Sequence, residues 1–435
     1  MIRQKYLFSD LDIKGYNNST ANKLFAGDQP LHDWYRFVLS FPPHLVREYL
    51  DRFGLKQGDT ILDPFCGTGT TLVEAKLHYL RGVGIEANRM AHFASSVKCN
   101  WQVDANGFFE DCQAVAKLAK KRIKTAQENR TFSDEQFELI LQDSIDAIPL
   151  HRTLTLKDII EENDSPFKNH QLLALATSTV RFCSRLHFGP EVGVSRKKKV
   201  DDDVVQCWLS VIQRMYRDLV DMNGQDTRLS FYPATVNFGD ARNADCFLAK
   251  NSIDAVFTSP PYPNEKDYTR TTRLESVLLG FLNDKFELRE MKEGLLRSNT
   301  RNVYKDDQDD DYISHNSEVL RIADEVEQKR IRMGKTSGFE KQYHRVVRLY
   351  FGGMARHLEN LKPFLKKGAM LGYVVGDQAS FLQTYIPTGK ILGDIAVHLG
   401  YHLDSIDLFR TRYATATRKD MNEEIVVLKW KEESK

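Results

Sequence analysis

The sequence lacks several things whose absence narrows its function. None of its six cysteines (Cys66, Cys99, Cys112, Cys183, Cys207 and Cys246) forms a CxxC pair, and none stands at zinc-finger spacing from histidines. That excludes a zinc site of recognisable spacing. Six unpaired thiols in a long chain predict a reducing, cytoplasmic setting. No run approaches about 18 uncharged apolar residues, so no membrane span is expected. The opening stretch, MIRQKYLFSDLDIKG, has no apolar signal core. An excess of one charge is missing too: Lys and Arg number 61 against 60 Asp and Glu, a net charge of +1. A histone-like or tail-driven nucleic-acid binder is thereby excluded, while a local basic cleft is not. No repeat or low-complexity segment stands out.

What is present is globular material. The 435 residues are 41% hydrophobic and 28% charged, enough for a real core. At roughly 150 residues per domain the length suggests two or three units. Residues 1–33 are polar, and regular pattern begins near Trp34. FPPHLVREYLDRF (41–53) enters an amphipathic helix, with proline at the first turn. TILDPF (60–65) predicts a buried strand, a glycine turn follows, then a helix over 72–80 and a second strand, GVGIEA (82–87). This is a βαβ unit with a parallel sheet. Residues 88–225 are mostly helical with little strand character. On the helix predicted over 204–220, Trp208, Ile212, Met215 and Leu219 form a core stripe. The α/β pattern returns with a short strand ending near Asp240, then IDAVFTSPPY (253–262) and an amphipathic helix over 268–282. Beyond a charged stretch (283–340) come a long helix (340–365), the strand MLGYVVGD (370–377), a helix (388–398) and strands at 402–409 and 423–430.

Two motifs carry chemistry. In DPFCGTGTT, Asp63 to Thr71, the glycines let a strand turn sharply into a helix and approach a ligand closely. A phosphate-binding P-loop would need a lysine where Thr70 stands, and a dinucleotide fingerprint a third Gly or Ala where Leu72 stands. What remains is a glycine turn whose helix N-terminus suits a carboxylate. Glu86, at the tip of the next strand, suits ribose hydroxyls. A ligand with a carboxylate, a sulfonium or amine and a ribose fits, and S-adenosylmethionine has all three; a glycine turn that serves only packing is the plain alternative. In the second motif, Thr258 to Tyr262, two prolines stiffen the loop and remove N–H donors. The Pro260 carbonyl, the Ser259 hydroxyl and the Tyr262 ring would accept hydrogen bonds from an amino group and stack on a flat ring. A rigid loop end is the alternative here.

Together and in this order, DPFCGTGTT and TSPPY resemble the SAM-dependent DNA amino-methyltransferases, the N4-cytosine and N6-adenine family. The SPPY form is typical of its N4-cytosine members. The resemblance spans about 34–100, 235–282 and 345–432. It implies a Rossmann-like class I methyltransferase fold, α/β with about seven mostly parallel strands plus two largely helical insertions. The implied catalytic residues are Ser259, Pro260, Pro261 and Tyr262. The implied cofactor-binding residues are Phe41, Pro42, Asp63, Phe65, Gly67, Gly69, Thr70, Thr71, Glu86 and Asp240, with S-adenosylmethionine as cofactor and no metal. Asn264, Asp267, Tyr268 and Arg270 are expected at the pocket rim or on phosphate, with a solvated helix start as the equal alternative; Tyr35 and Phe65 line the cofactor side or the core.

The implied division is an N-terminal extension (1–33), a catalytic core (34–100, 233–282, 345–435) and two insertions. The first, 101–232, is a candidate target-recognition region; the second, 283–344, a candidate DNA-contact or lid region. Basic clusters at Lys117–Lys124 and Arg181–Lys199 are candidate phosphate contacts or merely solvated, and the acidic run Asp306–Asp311 is expected away from DNA. The resemblance implies a cytoplasmic enzyme on double-stranded DNA, with a restriction endonuclease or defence subunits as possible partners. An N6-adenine enzyme, an RNA methyltransferase and an idle nucleic-acid-binding subunit are the competing readings.

Overall fold

A computed structural model describes residues 21–37, 40–189, 191–198, 200–224, 231–414 and 418–431. Its centre is a seven-stranded sheet. In chain order the strands are β1 (Thr60–Asp63), β2 (Arg81–Glu86), β5 (Ala234–Phe238), β6 (Ile253–Thr258), β7 (Leu365–Gly376), β8 (His402–Ala414) and β9 (Lys419–Lys429). The numbers β3 (Leu186–Phe188) and β4 (Val192–Val194) belong to a separate hairpin. The sheet order is β5-β2-β1-β6-β7-β9-β8. The first four ladders are parallel, and β9 pairs antiparallel with both β7 and β8. The chain thus builds outward from β1 to β2 and β5, then crosses to β6 and β7. Strand order reverses beside β1, and in open α/β sheets such a switch point opens a crevice at the carboxyl ends of the strands.

Short apolar runs become strands here because both sheet faces are covered. Ile61, Ala255, Phe257, Val374, Ile425 and Val427 point to one face, under the helix Pro43–Arg52. Their neighbours Leu62, Val256, Tyr373, Val375, Val426 and Leu428 point to the other, under the helices 317–332, 343–361 and 388–398. This period-two alternation makes a three-layer sandwich. The first insertion adds a helical block, and the stripe Trp208, Ile212, Met215 and Leu219 is fully buried within it.

Two expectations change. The first insertion is largely helical as expected, and it adds a short hairpin, β3 and β4, that packs Leu186, Phe188, Val192 and Val194 against Leu274, Val277 and Leu278. The helix expected over 268–282 is instead a 3-10 turn, Tyr268–Thr272, followed by a short helix, Arg273–Leu278. Hydroxyl side chains there bond locally and compete with helix: Thr269 Oγ1 donates to Asp267 and Thr271 Oγ1 to the Tyr268 carbonyl. Gly280 at φ 75° then ends the segment. Lastly, β8 runs five residues past Phe409, because Arg410 to Ala414 find partners on β9.

The charged clusters also differ. Arg181 pairs with Asp33 and Arg185 with Asp146, while Lys198 Nζ donates to the Val180 and Leu186 carbonyls. Most of this second cluster ties the chain to itself; Lys199 lies outside the described residues. In the first cluster Arg122 pairs with Glu162, and Lys117, Lys120, Lys121 and Lys124 are exposed. The acidic run is structural too: Asp307 pairs with Arg297, and buried Asp309 with Arg242 and Arg356. Among the described residues no helix is long and apolar enough to cross a membrane.

Candidate active site

The crevice at the switch point is a deep cleft, and two motif loops form its floor. The Pro64–Gly69 loop leaves β1, and the Ser259–Tyr262 loop leaves its neighbour β6. The two strand ends are latched together. Thr258 Oγ1 donates to Asp63 Oδ1 at 2.6 Å, and the Phe65 amide reaches both atoms at 3.3 Å. Thr71 Oγ1 adds a bond to the Phe257 carbonyl at 3.2 Å. Asp63 is fully buried, its Oδ2 finds no hydrogen-bond partner among the described residues, and burial pushes its carboxyl up to about 6.

The loop after β1 turns through two left-handed glycines, Gly67 (φ 52°) and Gly69 (φ 81°). A Cβ on Gly69 would stand 2.9 Å from Ser95 Cβ, so position 69 needs glycine on both counts. The turn delivers the chain into the helix Thr70–Leu77, whose first amides have no side-chain cap among the described residues. Lys98 holds the turn from below: it is buried, and its Nζ donates to the Thr68 and Tyr35 carbonyls at 2.8 and 3.2 Å. Burial pushes its amine down to about 7.

Acids stand at the ends of the next strands. Glu86, closing β2, accepts the Gly67 and Asn88 amides at 2.8 Å each, and burial pushes it up to about 7. Asp240, just beyond β5, is gripped by Arg242, whose Nε lies 3.0 Å from both carboxylate oxygens. Arg242 is in turn paired with Asp309 of the second insertion. Across β1, β2 and β5 the cleft therefore offers a helix N-terminus, then one carboxylate, then another. Apolar wall is supplied by Phe65, Ile85, Leu295 and Leu296.

The opposite half belongs to the second loop. Ser259 Oγ donates to the Val374 carbonyl at 3.1 Å, so its proton is committed and its lone pairs remain. The Pro260 carbonyl receives no hydrogen bond among the described residues. The Tyr262 amide donates to Tyr268 Oη at 3.1 Å. Its ring rests on Gly376, where a Cβ would approach to 3.0 Å, and burial raises its phenol.

All four expected catalytic residues line this cleft, as do Phe41, Phe65, Gly67, Thr70, Glu86, Asp240, Asn264 and Tyr268. Pro42, Asp63, Gly69 and Thr71 stand behind the wall and shape it. Asp267 is buried and held by Lys292 at 2.8 Å; with Arg270 it borders an adjoining cavity. Tyr35 belongs to the core, its hydroxyl donating to Glu275 at 2.8 Å. The sequence reading missed Lys98, Lys266, Arg410, Arg412 and Glu423. The last four line the cleft mouth, where Arg410 pairs with Glu423 across the β8–β9 hairpin. Alternating Arg410 and Arg412 opposite an acid was the available signal. Among the described residues no group of His, Cys, Asp and Glu could hold a metal ion.

Residues 5–95 match a family model described as DNA methylase. The chain is 23% identical over 452 residues to the type II methyltransferase M.BsoBI of Geobacillus stearothermophilus, covering 96% of this chain and 88% of that protein. It is 24% identical over 417 residues to the type II methyltransferase M.AvaI of Nostoc sp., covering 89% and 81%. A stretch of 47 residues is 51% identical to the tRNA (guanine(10)-N2)-dimethyltransferase of Methanothermobacter thermautotrophicus, 11% of this chain and 14% of that one.

Proposed function

The chain belongs to the amino-methyltransferase family, and from that premise we propose that it methylates the exocyclic N4 amino group of cytosine in DNA at specific sites, using S-adenosylmethionine. The observation that carries the reading is the latched pair of loops: a Ser-Pro-Pro-Tyr turn, whose Ser259 proton is already engaged and whose prolines carry no N–H, held against a glycine turn by the Thr258–Asp63 bond. The likeness to type II methyltransferases over nearly the whole chain favours DNA over RNA, since the tRNA enzyme matches only 47 residues.

The residues fit the cofactor. The uncapped amides at Thr70 suit its carboxylate, Glu86 its ribose hydroxyls, and Asp240, held by Arg242, its adenine amino group. The cofactor supplies an electrophilic methyl on a sulfonium; everything else is the chain's work. A cytosine amino nitrogen is a poor nucleophile because its lone pair is delocalised into the ring. Ser259 Oγ, its proton committed to Val374, accepts one amino N–H, and the Pro260 carbonyl accepts the other. These bonds draw the nitrogen toward a tetrahedral geometry and free its lone pair. Positioning and fixed dipoles then do most of the catalysis. No cysteine nucleophile is required. The base must leave its duplex to reach this depth, and the Tyr262 ring, braced on Gly376, is its platform. The three core segments carry this chemistry and the insertions carry target recognition; a cognate restriction endonuclease is the expected partner.

Ser259→Ala and Tyr262→Ala test the assignment. Methyl transfer should fall at least about 100-fold in Ser259→Ala, the scale of losing one positioned hydrogen bond in a closed site, and about 10- to 100-fold in Tyr262→Ala, the scale of losing one aromatic stacking partner of the base. Cofactor binding by calorimetry should stay close to that of the unaltered protein. Loss of cofactor binding in both, with transfer per bound cofactor unchanged, contradicts the roles.

A further inference from the structure

A second, smaller cavity opens beside the catalytic cleft and shares Lys266 and Tyr268 with it. Three separate parts of the chain build it. Phe188, Glu191 and Val192 come from the β3–β4 hairpin of the first insertion, the Glu265–Thr271 stretch follows the catalytic loop, and Arg301 comes from the second insertion. The hairpin is anchored: Arg185 pairs with Asp146, and Leu186 and Phe188 pack against Leu278.

The charges in the cavity divide into committed and uncommitted. Asp267 is taken by Lys292, and Glu265 accepts the Thr300 amide at 3.0 Å together with its hydroxyl. Glu191 and Lys266 both line the cavity and attract each other electrostatically. The guanidinium groups of Arg270 and Arg301 make no hydrogen bond or ion pair among the described residues; Arg301 lies 5.5 Å over the Phe339 ring. This contrasts with Arg181, Arg185 and Arg242, all paired inside the protein. Neither the Arg270 nor the Arg301 guanidinium is tied by a hydrogen bond or ion pair among the described residues; Arg301 has only the Phe339 ring and the nearby Glu265 carboxylate, and Arg270 follows Tyr262 by eight residues, so both can take acceptors from outside.

Resting on the reading that the cleft receives a base flipped out of DNA, we propose that this cavity holds the nucleotide adjoining the flipped one, with Arg270 and Arg301 as its donors. Target reading is then composite: a hairpin from one insertion and an arginine from the other meet at the catalytic loop. A guanidinium presents paired donors to two acceptors set side by side. In DNA these are phosphate oxygens or the O6/N7 edge of guanine.

The test compares the unaltered chain with R270A, R301A, R270K and R301K. Each is expressed in cells free of other methylation, and modified bases are mapped by sequencing. Purified proteins are then titrated with labelled duplex over a range of salt. Calorimetry with S-adenosylmethionine confirms that each variant is folded; if an alanine variant fails there, the lysine variants and the other position carry the comparison. For a guanine contact, modification spreads to other bases at one neighbouring position, and lysine does not restore selectivity. For a phosphate contact, the target sequence is unchanged, duplex affinity falls about 10-fold, the salt slope drops by about 1, and lysine restores much of the loss. Folded alanine variants with unchanged target sequence, affinity and salt slope would overturn the proposal. Should the unaltered chain modify no DNA, the functional reading fails instead, and the duplex titrations decide the cavity separately: retained arginine-dependent binding supports it and none overturns it.

Discussion

The latch between the two strand ends makes a sharp prediction about Thr258→Val. The change conserves shape and removes one hydroxyl. Thr258 Oγ1 donates to Asp63 Oδ1 at 2.6 Å in a fully buried setting, and Asp63 Oδ2 already lacks a partner among the described residues. With the carboxylate pushed up to about 6, Asp63 is ionised at pH 8. A hydrogen bond to a charged group is worth about 1.5–3 kcal/mol, so T258V should lose about 2 kcal/mol of unfolding free energy at pH 8. At pH 5 Asp63 carries a proton, and the loss should shrink toward the ~1 kcal/mol of a neutral bond. The catalytic consequence is larger than the binding one. Loosening the latch displaces the Ser259–Tyr262 turn relative to the glycine turn, and a misplacement of about 1 Å costs on the order of 100-fold in rate. Transfer at saturating cofactor should fall about 10- to 100-fold while cofactor affinity changes little. Urea denaturation at both pH values, single-turnover transfer and calorimetry supply the measurements. A T258V protein as stable as the unaltered chain at pH 8, and transferring at the same rate, refutes the reasoning.

Further outcomes follow from neighbouring groups. Asp63→Asn removes a carboxyl whose folded value is raised, so the folded state favours its proton. Its stabilising effect is full below pH about 4 and lost as pH rises through about 6; relative to D63N, the unaltered chain should lose about 3 kcal/mol across that window in urea titrations. Under the proposed role, Glu86, raised to about 7 by burial, accepts two ribose hydroxyls only when ionised; cofactor affinity should then weaken as pH falls below about 7, and Glu86→Gln should bind about 10- to 100-fold more weakly with that pH dependence gone. Arg242→Met would strand Asp240 and Asp309, and removing one partner of a buried pair costs about 3–5 kcal/mol, readable as an earlier urea midpoint.

Much of the centre was legible in the sequence because its signals are local. A strand of apolar residues ending in Asp63, a glycine turn and a helix can be read within a dozen residues, and so can the Ser-Pro-Pro-Tyr break after β6. What stayed hidden depends on distant partners. Nothing local says that Thr258 and Asp63 meet, for they are 195 residues apart. Lys98 looks like an ordinary solvated helix position until the fold buries it beneath the glycine turn. The acidic run at 306–311 reads as a repulsive loop, and only its pairing with Arg242, Arg297 and Arg356 turns it into a brace for Asp240. The β3–β4 hairpin is three residues a side and carries too little alternation to stand out among helices.

The central claim concerns which atom receives the methyl group. Incubating the protein with labelled S-adenosylmethionine and duplex DNA, then digesting to nucleosides and separating them, tests it most directly. The account predicts that the label appears in N4-methylcytosine. Label in N6-methyladenine contradicts the cytosine assignment, and label in structured RNA with none in duplex DNA contradicts the DNA reading itself.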